Sequence, residues 1–214
     1  ITTGGNWSSA SSAIATVDPS GVVTGASAGA TTITYSLSTG CRKTKNITVF
    51  PAPGPITGNN TICQGNTTVL GNALPGRTWS SSAAGVAAIN ASSGFVTGTG
   101  SGFAIITYTL PTGCINTTPV VVNALPSPIS GVAAVCAGAA TTLSDTDPGG
   151  AWSSASAVAT VSSTGDVTGV AAGTTMITYS LGSGCQRTKT VTVNQLPALI
   201  TGSAYVCSGA SALL

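Results

Sequence analysis

A repeat of about 72 residues constrains this chain more than any other sequence feature. Trp7, Trp79 and Trp152 each begin a Trp-Ser-Ser unit, and they are spaced 72 and 73 residues apart. A tyrosine and two cysteines recur with nearly the same period. These positions are Tyr35, Tyr108 and Tyr179, then Cys41, Cys114 and Cys185, and then Cys63, Cys136 and Cys207. We therefore expect each unit to adopt the same fold.

Each unit divides into short apolar segments separated by glycine, proline and other turn residues. In the second unit we assign strands A to G near residues 56–63, 67–70, 78–80, 86–90, 94–97, 104–110 and 117–122. No helical period extends over a useful length. Seven short strands in this length predict an all-β fold, with each unit a small Greek-key β-sandwich.

Strand F shows the alternation of a half-buried strand most clearly. Ile33, Tyr35 and Leu37 fall on one face, and the intervening threonines and serine fall on the other. A sandwich this small buries few large side chains, so the recurring tryptophan of strand C and tyrosine of strand F are expected in the core. The predicted core aromatics are Trp7, Trp79, Trp152, Tyr35, Tyr108 and Tyr179.

The repeat positions predict four segments. Residues 1–52 form a partial repeat with strands C to G, 53–125 and 126–197 are complete repeats, and 198–214 begin another repeat with strands A and B. Short proline-containing linkers separate them. Two hypotheses explain the halves: the chain is a window on a longer array, or strands A and B of one molecule complete the sandwich of the next.

The motifs of the third repeat resemble those of the bacterial Ig-like group 2 family. They are the Trp-Ser-Ser of Trp152, Val158-Ala-Thr-Val161, Asp166-Val-Thr-Gly169 and the run from Gly173 to Tyr179. The two added cysteines per repeat are similar to those of long Ig-repeat surface proteins of Bacteroidota. The resemblance implies tandem immunoglobulin-like sandwiches in extracellular fibres, adhesin stalks or gliding-type adhesins. It implies no catalytic residues.

The six cysteines are candidates for disulfides, because the chain has no histidine and no Cys-x-x-Cys motif. Three pairings stay open. A bridge within each repeat gives Cys63–Cys114 and Cys136–Cys185, although the A–B and F–G turns normally lie at opposite ends of such a sandwich. An end-to-end bridge between repeats gives Cys63–Cys185. The constant spacing of 22 residues gives Cys41–Cys63, Cys114–Cys136 and Cys185–Cys207.

The sequence offers no residues for a catalytic, cofactor or metal site. A serine or cysteine nucleophile has no histidine or glutamate to act as its base, and the four aspartates do not recur at equivalent places. Asp145 and Asp147 in the B–C loop are interpreted as solvated rather than as a weak calcium site. We therefore predict that the chain is not an enzyme and binds no cofactor.

Charged residues make up only 5% of the chain, against about 25% in ordinary soluble domains. A net charge of +2 indicates no nucleic-acid partner, and no apolar run is long enough for membrane insertion. Five of the six basic residues follow an F–G cysteine: Arg42, Lys43, Lys45, Arg187 and Lys189. We interpret them as a solvated hairpin, or alternatively as a contact with a neighbouring repeat through Asp145 or Asp147.

Together these features predict the structural repeat region of an extracellular filament or adhesin stalk at the cell surface. Its expected partners are copies of itself, joined head to tail and also laterally, with a glycan or host ligand bound by other domains. The alternative function is an array of glycan- or protein-binding modules. That alternative requires exposed aromatic side chains, whereas the recurring aromatics fall at core positions.

Overall fold

The computed structural model describes residues 4–76, 78–202, 205–211 and 213. The bounds Ile1 and Leu214 of the predicted segments lie outside these residues. The chain divides into two compact units, Ile1–Val122 and Asn123–Leu214. All of the regular structure in the described residues is β, which confirms the predicted fold class. Within those residues no helix is long and apolar enough to cross a membrane.

The third repeat, in the second unit, is a complete sandwich of two four-stranded sheets. One sheet has the order β13 (Ser130–Gly131), β15 (Ala140–Ser144), β18 (Asp166–Gly169) and β17 (Ala159–Val161). The other has the order β14 (Ala134–Cys136), β20 (Gln186–Asn194), β19 (Gly173–Ser180) and β16 (Ala151–Ser154). The predicted strand A is therefore two short strands, one in each sheet. The second of them, β14, pairs in parallel with β20.

The second repeat, in the first unit, has the same plan. One sheet has the order β6 (Thr61–Cys63), β12 (Ile115–Asn123), β11 (Gly102–Thr109) and β8 (Thr78–Ser81). The other consists of β7 (Thr67–Val69), β10 (Phe95–Gly98) and β9 (Ala87–Ile89). A single bridge between Thr57 and Gly71 stands where β13 pairs with β15 in the third repeat.

The first repeat has only the later strands. Its two sheets have the orders β1 (Gly5–Ser9), β4 (Gly29–Leu37), β5 (Arg42–Val49) and β2 (Ala15–Val17), β3 (Val23–Gly25). In this repeat β5 and β3 are edge strands, whereas their equivalents β20 and β18 are internal strands of the third repeat. Among its described residues, the first repeat therefore has no strands equivalent to A and B of the other repeats.

Alternation builds the core of each complete repeat. In β19, Thr175, Ile177 and Tyr179 are buried, whereas Thr174 and Met176 face outward. The central strands of both sheets supply buried aliphatic residues to one cluster in each complete repeat. The fully buried members include Leu143, Val167 and Val191 in the third repeat. Burial of these β-branched and aliphatic side chains is the main stabilising term of each sandwich.

Candidate interaction site

The tryptophan and tyrosine of each repeat lie opposite each other on neighbouring strands. Trp152 pairs with Tyr179 across β16 and β19, and their ring centroids are 4.7 Å apart with a 48° interplanar angle. The Tyr179 hydroxyl accepts a hydrogen bond from the Gly150 N–H at 2.9 Å and donates to the Asp147 carbonyl at 2.5 Å. The tyrosine thus closes the loop that leads into strand C.

The same aromatic pair occurs in the other two repeats at different depths. Trp79 and Tyr108 are buried, with centroids 4.4 Å apart. Trp7 and Tyr35 have nearly the same geometry but are only half-buried. The geometry of the pair is therefore independent of strands A and B. Trp152 is half-buried like Trp7, so only the tyrosine is consistently more buried in the two complete repeats than in the first.

The structure divides the six candidate cysteines into two groups. Cys63 and Cys185 are disulfide-bonded. Cys41, Cys114, Cys136 and Cys207 are free thiols. The pairings Cys63–Cys114 and Cys136–Cys185 are therefore wrong for this structure, and so is the regular spacing of 22 residues, because each of these pairs contains a free thiol. The end-to-end pairing Cys63–Cys185 stays a prediction.

Strand register explains why a bridge within the third repeat does not form. Cys185 immediately precedes the nine-residue strand β20, whereas Cys136 lies opposite Asn194, the last residue of that strand. At about 3.3 Å per residue the two cysteines are separated by roughly 25–30 Å along the strand. A disulfide needs Cα atoms within about 7 Å. The two cysteines of one repeat are therefore at opposite ends of the sandwich.

The basic residues after the F–G cysteine bind backbone carbonyls of their own repeat. Arg187 Nε donates to the Pro126 carbonyl at 3.1 Å. Lys189 Nζ donates to the carbonyls of Ile129 and Gly131, both at 3.0 Å. The suggested contact through Asp145 or Asp147 is thus not the one these two side chains make. They fasten the linker and the start of strand A to strand G, a role that sequence reasoning missed.

Asp147, in the B–C loop, also holds the linker in place, through the backbone of Ser127. Its Oδ2 accepts a hydrogen bond from the Ser127 N–H at 2.5 Å, which also keeps the pKa of its carboxyl below the usual value. The Asp147 N–H donates to Asp145 Oδ1 at 2.9 Å. Across the described residues, no group of three or more histidine, cysteine or acidic side chains is placed to hold a metal ion.

The hydrogen bond from the Ser127 N–H to the Asp147 carboxylate predicts acid sensitivity of the third repeat. A lowered pKa in the folded state stabilises that state above about pH 4, and the stabilisation is lost as the pH falls through the folded pKa. We expect the urea midpoint to fall between pH 6 and pH 3, and to fall less in Asp147→Asn. Fluorescence-detected urea unfolding at the two pH values measures the difference. An equal fall in both proteins would contradict a role for the Asp147 carboxylate.

The first repeat presents two open strand edges. In the third repeat β14 pairs along β20 and β15 pairs along β18. The equivalent strands β5 and β3 have no such neighbours in the part of the chain that is described. Ile47 and Val49 of β5 are only half-buried, whereas the equivalent Val191 and Val193 are buried. Strands A and B cover the equivalent positions in the third repeat.

The last segment of the chain carries the residues that such strands supply. Ile200 and Val206 are 82% and 59% exposed, whereas the residues at the same repeat positions in the third repeat, Ile129 and Val135, are 8% and 7% exposed. Both residues thus occupy repeat positions that are buried in the third repeat.

The second repeat has an apolar outer face that the sequence interpretation did not anticipate. Phe103 is 68% exposed and lies opposite Val121, and Ile105 lies opposite Pro119. At the same positions of the third repeat, the pairs are Thr174 with Thr192 and Met176 with Thr190. The second repeat thus differs in surface chemistry from the third, although its core is the same.

The strand order, the paired aromatics and the repeated core define this chain as a tandem array of immunoglobulin-like β-sandwiches. Residues 133–193, which form most of the third repeat, match the bacterial Ig-like domain (group 2) family. The resemblance to that family is thereby confirmed for the third repeat. No match was found among curated proteins.

Solved structures with similar folds include several surface proteins. Domains 4 and 5 of the S-layer protein SbsC are 20% identical, with 69% of this chain and 100% of that chain covered and a TM-score of 0.33. The C-terminal 282-residue fragment of intimin, solved with the intimin-binding domain of its translocated receptor, is 17% identical. It covers 67% of this chain and 65% of that chain, with a TM-score of 0.44. These are likenesses of fold alone.

Proposed function

We propose that this chain is the structural repeat region of an extracellular bacterial filament or adhesin stalk, extended head to tail by sandwiches of the same kind. The observation that carries the proposal is the recurrence of one sandwich along the chain. The second and third repeats share a strand plan and a buried core, and the first repeat has the later strands of the same plan. Arrays of such units serve to extend a chain, because each repeat adds one more sandwich.

The chemistry of the chain supports a mechanical role without catalysis. Every aspartate for which the pKa is shifted, namely Asp18, Asp147 and Asp166, has a lowered pKa caused mainly by hydrogen bonds in a turn or to neighbouring hydroxyl and N–H groups. Such carboxylates are structural acceptors rather than proton donors near neutral pH. The bonded state of Cys63 and Cys185 supports an oxidising compartment, as expected outside the cell.

An array of binding modules is the second candidate, and the apolar outer face of the second repeat favours it. Exposed apolar side chains clustered on one face are a common feature of interaction surfaces. The same face also suits lateral packing of fibres, because the low charge of the chain opposes association weakly. We place this face second because it occurs in one complete repeat and not in the other.

Electron microscopy of the purified chain tests the proposal. We expect concentration-dependent fibres whose averaged axial repeat is about 3 nm per sandwich, because strands of eight or nine residues rise about 3.3 Å per residue. Discrete particles at every concentration would contradict the proposal and favour the binding array.

A further inference from the structure

Four apolar side chains form a continuous patch on the outer face of the second repeat. Phe103 lies opposite Val121, and Ile105 lies opposite Pro119, across the pair of β11 and β12. Phe103, Ile105 and Val121 are 68%, 36% and 39% exposed. Pro119 is exposed as well. Side chains two residues apart on a strand, or opposite each other on neighbouring strands, are close neighbours on one face. We call these four residues the apolar patch.

The fold of the sandwich does not require this patch. In the first repeat the equivalent pairs are Ala30–Thr48 and Thr32–Asn46. In the third repeat three of the four positions are threonine and the fourth is Met176. The two strands pair in the same register in all three repeats, so the apolar side chains add nothing to the hydrogen-bonded ladder. An exposed apolar patch of this kind is instead typical of an interaction surface.

The second repeat is also the part of the chain with the least charge. Every described residue between 53 and 125 is uncharged, and the charged residues that the structure describes all lie in the first and third repeats. Burial of a charge without a partner is costly, and like charges on identical chains repel each other. Two second repeats can therefore meet face to face without either cost.

These properties favour a second copy of this chain as the occupant of the apolar patch. A different protein is usually selected through charges or hydrogen-bonding groups at the contact, and the four side chains of the patch have neither. A purely apolar surface is instead complementary to itself, and a two-fold axis through the patch places the same residues of two copies in contact. Sheets packed face to face lie about 10 Å apart.

We infer that the apolar patch is a lateral contact between the second repeats of two copies of this chain. Phe103 of each copy packs against Ile105 and Val121 of the other. This inference rests on the proposed filament and adds a lateral contact to it. Neighbouring fibres are held in register, because the equivalent faces of the first and third repeats are largely polar.

The size of the apolar patch determines the strength of the contact. Four partly exposed side chains present on the order of 300 Å² per copy, so a pair of patches buries well under the roughly 1,200 Å² of a stable interface. Two isolated chains should therefore associate weakly, with a dissociation constant above about 10 μM. Fibres contain many copies of the patch, so their lateral association combines many such contacts.

A photoreactive benzophenone side chain in place of Pro119 tests the contact in the full chain. Equal amounts of isotopically light and heavy chain distinguish links between copies from links within one copy. We expect links from position 119 to residues of β11 and β12 in a second copy. The same photoreactive side chain in place of Thr190, the equivalent residue of the third repeat, is the matched control and should give few links between copies.

Phe103→Thr should lower the yield of these links at least tenfold below saturation, because an aromatic side chain is lost from each of the two copies. The third repeat has threonine at the equivalent position, so the variant should fold. Met176→Thr removes an exposed apolar side chain from the third repeat instead, and it should leave the yield within about twofold of wild type.

The inference would be overturned by links from position 119 to the first or third repeat, or by an unchanged yield in Phe103→Thr. Absence of links between copies at every concentration would also overturn it. That last result would leave the apolar patch to a different protein, as an array of binding modules requires.

Electron microscopy of the same variants separates this inference from the proposed filament. Long single fibres of Phe103→Thr beside bundled wild-type fibres would support both. Bundles of equal width in wild type and Phe103→Thr would overturn the lateral contact and leave the filament standing. Links between second repeats in a chain that forms no fibres would support the contact and remove the filament function.

Discussion

Gly165→Ala should lower the free energy of unfolding of the third repeat by about 2–5 kcal/mol. Gly165 has a φ of +90°, a conformation that costs a residue with a β-carbon about 1–2 kcal/mol. The added carbon would also overlap the Leu143 carbonyl and lie 3.2 Å from Cε2 of Trp152. Leu143 is fully buried, so its backbone cannot move without disturbing the core, and forced shifts of this kind cost about 1–3 kcal/mol.

Gly184→Ala is the matched control for that substitution. Gly184 has a φ of +82°, and nothing lies within 4 Å of the position its β-carbon would take. Only the backbone strain should remain, at about 1–2 kcal/mol. Urea unfolding measures both changes, and hydrogen exchange at the amides of β15 and β18 locates them. Equal losses in the two variants would show that the packing around Trp152 is not what makes position 165 sensitive.

Peptide mapping without reduction should recover Cys63 linked to Cys185, and Cys114 and Cys136 in unlinked peptides. Of the three pairings that the sequence allows, only this one uses both bonded cysteines and no free thiol. Such a bridge closes a loop of more than a hundred residues, which the chain-entropy model values at about 4–5 kcal/mol. Recovery of Cys63 linked to Cys114 would contradict the assignment.

Removal of the same disulfide should lower the stability of the chain. Cys63→Ala combined with Cys185→Ala should lower the urea midpoint under oxidising conditions to near that of the reduced wild type. Cys114→Ala removes a free thiol and is the control, so its midpoint should change only slightly. A double variant as stable as the oxidised wild type would show that the disulfide stabilises the chain little.

The repeat and its strands were predictable because they depend on local pattern. The alternation around Tyr179 and the regular spacing of Trp79 and Trp152 indicate which residues face the core. Both features can be read directly from the order of residues. The division of strand A between two sheets was missed. It depends on long-range pairing of β14 with β20, which no local pattern encodes.

The roles of individual polar residues were harder to predict for the same reason. Arg187 and Lys189 look like solvated charges in sequence, because their acceptors lie about 60 residues away, in the linker and just before strand A. One sequence signal pointed to them: they alternate with residues that face outward, on the side of the strand that contains Val191. Phe103 was missed because the repeat predicts a polar residue at its position.

The parallel pairing of β14 with β20 has a consequence for load. The chain passes through the two-residue strand β13 and then β14 near the start of the third repeat and leaves the repeat after β20; β14 and β20 run in the same direction side by side. Tension applied along the chain therefore pulls the two strands past each other, and their hydrogen bonds and the packing of Val135 resist together. An antiparallel pair loaded at one end would instead open one bond at a time. In the third repeat β14 and β20 thus form a shear clamp, an arrangement suited to a chain under tension.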